Sequence, residues 1–114
     1  MIEVEFLRRI CLALPGTTEE VLWGNDLVFK VGGRMYAAAP LEPARVCLSF
    51  KCSPEDFAEL TERPGIIPAP YAARAKWVAL ENEDALTGAE VRKYVRLAYG
   101  HIVAKLPKKV QAAL

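Results

Sequence analysis

Beyond Glu90 the sequence contains no acidic side chain, yet Arg92, Lys93, Arg96, Lys105, Lys108 and Lys109 all lie there. The whole chain has a formal net charge of only +1, so this excess is local. Local charge governs attraction to a polyanion or an acidic partner. Other shortages exclude whole classes of function. There is one histidine, His101, and no His/Cys/Asp grouping with ligand spacing, so no metal site is expected and no cofactor. The cysteines Cys11, Cys47 and Cys52 are odd in number and lack zinc spacing. They are expected to be reduced thiols in a cytoplasmic protein, with Cys11 and Cys47 as small core residues. Cys52, beside an expected helix start, is the one thiol worth checking for reactivity. No apolar run approaches the roughly 18 residues of a membrane span, and Met-Ile-Glu-Val-Glu is unlike the basic head of a signal peptide.

What is present suits one globular domain over residues 1–114. A chain of this length buries roughly 60–70% of its unfolded surface, so it needs neither disulfide nor metal to fold. Hydrophobic residues make up 53% and charged ones 25%, which leaves no segment with the composition of disorder.

The hydrophobic spacing predicts a helix over residues 2–14, where Ile2, Phe6, Ile10 and Leu14 recur with Leu7 and Cys11, and Pro15-Gly16 ends it. Short strands follow at Val21–Trp23 and Leu27–Val31. Gly32-Gly33 supplies a tight hairpin into Arg34–Ala38. Arg45–Phe50 alternates with period two, which puts Val46, Leu48 and Phe50 on one face. Ser53-Pro54-Glu55-Asp56 has the signature of a capped helix start, and that helix should bury Phe57 and Leu60. Three prolines in Pro64–Pro70 predict a stiff loop, and Lys76–Leu80 a final strand. Thr87 and Glu90 form a capping box for a long last helix that Pro107 ends. On it Val91, Val95, Ala98, Ile102 and Leu106 share a stripe, with Arg92, Lys93 and Arg96 roughly 130° away on the solvent side.

Catalysis has little to stand on, and no enzyme is expected. His101 lies at the flank of the apolar stripe near Tyr94, a position that suits packing. Glu19-Glu20 and Glu81–Asp84 fit solvated turns and helix-end charges better than a carboxylate pair. Two groupings of cations and rings point outward. One is Tyr71, Arg74, Lys76 and Trp77, the right types for phosphate contact and base stacking; the competing account packs both rings in the core. The other is the basic tail. Lys105, Lys108 and Lys109 near a helix C-terminus also complement its dipole, whereas Arg92 and Lys93 near the positive end gain nothing from it.

The sequence resembles the MmcQ/YjbR family of small bacterial proteins. The matching pieces are Leu14–Glu20, the hairpin Val28–Ala37, Ser49–Glu55, the Tyr71–Trp77 segment and Ala98–Lys109. They run in order along nearly the whole chain. The resemblance implies a two-layer α+β fold similar to secretion chaperones, with an antiparallel sheet of about five strands and three helices on one side. It also implies DNA binding, the label such proteins commonly carry. Lys76 and Val78 stand where the family tends to place histidine and asparagine around Trp77, and the stretch from Tyr71 is one residue short. The polar pocket those groups would form is therefore not carried over.

Two functions follow as expectations. In the first, Arg92, Lys93, Arg96, Lys105, Lys108 and Lys109 contact DNA phosphates, Arg74 and Lys76 extend the patch, and Tyr71 and Trp77 stack or line a pocket. With no base-reading motif, binding would be weakly sequence-selective. In the second, the sheet face or the Pro64–Pro70 loop holds an acidic or extended protein partner.

Overall fold

Six antiparallel strands hydrogen-bond in the order β1-β2-β3-β4-β6-β5 in the computed structural model, which describes residues 2–114. The strands are β1 (Thr17–Leu22), β2 (Asp26–Val31), β3 (Arg34–Pro40), β4 (Leu48–Lys51), β5 (Ile66–Pro68) and β6 (Trp77–Leu80). Helices α1 (Val4–Leu12), α2 (Pro54–Leu60) and α3 (Gly88–Val103) pack on one side, and a short α4 (Lys108–Ala112) follows. The fold is the expected two-layer α+β class, with one strand and one helix more than the sequence pattern announced.

The extra strand corrects the stiff loop expected over Pro64–Pro70. Residues 66–68 pair with Leu80, Ala79 and Val78, so β5 closes one edge of the sheet. Proline is tolerated there because an edge strand has one side with no partner for an amide hydrogen. The extra helix corrects the ending of the chain. Pro107 stops α3 and then, as the N-cap of α4, opens a second helix. Two strands also shift. Trp23 belongs to the β1–β2 turn, and residues 45–47 approach the sheet as a loop before β4 begins.

The alternation of β2 and β4 sends Leu27, Phe29, Val31, Leu48 and Phe50 into the helix-side core, where Val78 and Leu80 of β6 join them. The stripe on α3 meets them: Val91, Val95, Ala98 and Ile102 are all buried, as is Leu106 just beyond the helix. Phe50 stacks on Tyr94 with centroids 6.0 Å apart. Tyr36 is fully buried and satisfies its hydroxyl with Thr17 Oγ1 at 2.9 Å. Its ring meets that of Tyr99 edge-on at 5.5 Å. The Gly32-Gly33 hairpin forms with φ of 58° and 79°, values that glycine adopts without a Cβ penalty.

The first turn of α3 is tied down by a small polar network. Thr87 Oγ1 accepts from the Glu90 amide at 3.1 Å, and the Glu90 carboxylate accepts from the Thr87 amide at 3.0 Å. Arg63, from the end of α2, donates to the same carboxylate at 2.7 Å and 3.3 Å and to the Ala85 carbonyl at 3.0 Å. The Arg63 guanidinium, followed by the Thr87 amide, holds the Glu90 carboxyl down at about 2.

Candidate nucleic-acid interface

Carboxylates occupy four cations among the described residues. Arg8 meets Glu5 and Glu19, Lys30 meets Glu20, Arg45 meets Glu81, and Arg63 meets Glu90. The eight candidate cations Arg74, Lys76, Arg92, Lys93, Arg96, Lys105, Lys108 and Lys109 take part in none of these pairs. Their charge is therefore available to a ligand.

They do not gather in one patch. Arg74 and Lys76, carried on a 3-10 turn (Ala73–Ala75) before β6, line a depression of about 530 Å³ with Lys105 and His101 from the end of α3. Lys51, the last residue of β4, lines it too and donates to the Ala75 carbonyl. Arg74, Lys76, Lys105 and Lys51 thus converge from three separate stretches of chain, and no carboxylate among the described residues lines the depression. Burial lowers the Lys51 pKa, and the nearby charges of Lys105 and Lys76 lower it further. Like charges held this close repel one another, and an anion between them would relieve that repulsion.

Arg92 and Arg96 sit on the other flank of α3, where they line a shallower cleft with Arg9, Phe6 and Ile10 of α1. The Arg92 guanidinium lies 5.6 Å from the centre of the Phe6 ring. Helical geometry explains the division, because Arg92 and His101 are nine residues and about 180° apart around α3. Lys93 lies 5.1 Å from the Tyr94 ring centre. Lys108 and Lys109 are both exposed on α4; Lys108 is its first residue, where the helix dipole offers a cation nothing, whereas Lys109 falls within its last turn.

Lys51 was missed by sequence reasoning. A single lysine between Phe50 and Cys52 at a strand end looks like rim, and only the neighbouring 3-10 turn makes it part of a cluster. Cys52, the thiol worth checking for reactivity, lines the same depression but is buried, and desolvation pushes its thiol up to about 12, away from the reactive thiolate. Cys11 is fully buried with its thiol also near 12, while Cys47 is only partly buried. His101 Nε2 is buried without a hydrogen-bond partner among the described residues.

Tyr71 and Trp77 do not join the cations. They line a separate groove of about 640 Å³ on the sheet face that carries no helices, with Trp23, Met35, Ala38 and Ser49. Tyr71 is fully exposed and Trp77 partly so, so neither ring is a core residue. Stacking on bases beside the lysine cluster is not their position.

The sequence matches the family described as YjbR over residues 12–101, most of the chain. This chain belongs to the YjbR family. A crystal structure of Deinococcus radiodurans protein DR2400, a domain labelled DUF419, is similar at 28% identity and a TM-score of 0.88. The similarity covers 98% of this chain and 87% of that one. A comparison with curated proteins gives no match. The YjbR match takes in Arg74, Lys76, Arg92, Lys93 and Arg96 and stops short of Lys105, Lys108 and Lys109. Among the described residues of this YjbR-family chain, no group of three His, Cys, Asp or Glu side chains is placed to hold a metal. Nor, among the described residues, is any helix long and apolar enough to cross a membrane.

Proposed function

We propose that this YjbR-family chain is a non-enzymatic, cytoplasmic domain that binds DNA through its phosphates. The observation that carries the reading is the convergence of Lys51, Arg74, Lys76 and Lys105 around one depression with no lining carboxylate. The Arg9, Arg92 and Arg96 cleft across α3 offers a second foothold, and Lys93 lies on the helix between them. The sequence offers no base-reading motif, so affinity is electrostatic and nearly indifferent to sequence. An acidic protein partner would be served by the same cations. It is poorly served by the bare sheet face, where the charged residue lining the groove is Asp26.

Salt titration of duplex DNA binding tests the reading. Three or four phosphate contacts predict a slope of about −2.7 to −3.6 in log affinity against log salt, or a loss of roughly 40- to 150-fold between 50 and 200 mM. A Lys51→Ala, Lys105→Ala double variant should lower affinity equally for unrelated sequences and flatten the slope by about two. Absence of binding even at low salt would remove DNA as the ligand.

A further inference from the structure

The groove on the helix-free face of the sheet is not used by the phosphate reading, and its composition is unlike that of the rest of the surface. Its floor is made of small side chains, Ala38 of β3 and Ser49 of β4, which register directly across the sheet from each other. Three aromatic residues surround that floor: Trp23 from the β1–β2 turn, Tyr71 from the loop after β5, and Trp77 at the start of β6. Its volume of about 640 Å³ falls in the range of small-molecule sites.

Two features single it out. First, Trp23 and Tyr71 hold left-handed backbone conformations, with φ of 52° and 63°. Such a conformation is unfavourable for a bulky residue and persists where the surroundings require it. Here it presents large rings to water, since Trp23 is 71% exposed and Tyr71 fully so. Second, the charged side chain lining the groove is a carboxylate, Asp26, which forms no ion pair among the described residues. The cation lining the adjoining depression, Arg45, faces Glu81 at 4.0 Å. The electron-rich faces of tryptophan and tyrosine attract cations, and a carboxylate supplies the matching charge.

We propose that this groove binds a small organic cation with a methylated ammonium head, the head held by Asp26 and the rings of Trp23, Tyr71 and Trp77. Met35 and Val46 supply apolar walls for the body of the ligand. The site shares no lining residue with the cationic depression, so it stands or falls independently of DNA binding.

The chain's two tryptophans both line the groove, so intrinsic fluorescence reports directly on its occupancy. The full chain is titrated with choline and, in parallel, with 3,3-dimethylbutan-1-ol, which has the same shape without the charge. A saturable change in emission is expected with choline, with the neutral isostere about tenfold weaker, the scale of one cation–π contact. Asp26→Asn should weaken choline about tenfold while leaving the circular dichroism and DNA affinity unchanged. Tyr71→Ala keeps both reporters and should weaken choline by a similar factor. Equal response to choline and the isostere would overturn the proposal, as would full affinity in Asp26→Asn or no saturable change. Binding of a trimethyllysine peptide without any binding of choline would likewise overturn the small-molecule assignment.

Discussion

Replacing Glu90 with glutamine isolates one charge in the network that anchors α3. Glutamine can still accept from the Thr87 amide, so the capping box survives in form. What disappears is the charge that Arg63 meets at 2.7 Å and that the positive helix end favours. The ion pair is about one-third exposed, 39% for the Arg63 side chain and 31% for that of Glu90, so solvent screening limits its value. It is expected to contribute about 0.5–1 kcal/mol and the dipole a few tenths more, for a total near 1 kcal/mol. In urea, where small domains lose about 1–3 kcal/mol per molar, the midpoint should fall by roughly 0.3–1 M at pH 7. The sign with pH follows from the lowered carboxyl. The folded-state value is about 2, below the unfolded value, so the contribution is fully present above about pH 5. It drains away as pH falls toward 2, because protonation makes the native side chain as neutral as glutamine. Urea denaturation of both proteins from pH 7 down to pH 2.5 should therefore show two curves that converge. A gap that stays constant across that range, or no gap at pH 7, would refute the assignment of the stabilisation to this charge.

Other outcomes are equally specific. Tyr36→Phe should cost about 1 kcal/mol in urea, because the buried hydroxyl partner of Thr17 is removed without a change in ring packing. Phe50→Ala should cost about 3–5 kcal/mol, since the ring is fully buried and stacks on Tyr94. With a thiol reagent at pH 8, Cys47 should label first and Cys11 and Cys52 only on unfolding, as read by peptide mass spectrometry. Tripolyphosphate should raise the melting temperature of the native chain, and Lys51→Ala should lose most of that increment. Equal protection of the two proteins would place the anion elsewhere.

The elements set by strong local chemistry were legible in the sequence. Ser53-Pro54 and Thr87-x-x-Glu90 each start a helix as their capping chemistry dictates, and the α3 stripe is buried residue for residue. The Gly32-Gly33 hairpin needed only two adjacent residues able to take positive φ. What escaped was set by neighbours distant in sequence. Residues 66–68 carry a proline and too few alternating positions to announce a strand, and β6 alone makes them one. The solvent-side placement of the cations on α3 is legible in its spacing, but their division into two clusters depends on α1 flanking one side of α3 and the 3-10 turn the other. Tyr71 and Trp77 read as companions of Arg74 and Lys76 because they are near in sequence. The left-handed backbone at Tyr71 and Lys76 sends consecutive side chains to different places.

The short β5 has a consequence for how copies of this chain meet. It offers three residues, and the last of them, Pro68, has no amide hydrogen. A second molecule therefore finds almost nothing to zip onto along that rim. The opposite rim, β1, is six residues long and carries the ion pairs Glu19–Arg8 and Glu20–Lys30, charged groups that an approaching strand would have to accommodate. Sheet-to-sheet growth is thus discouraged at both ends by different means, by brevity at one and by charge at the other, and the broad middle of the sheet is left bare without inviting fibres.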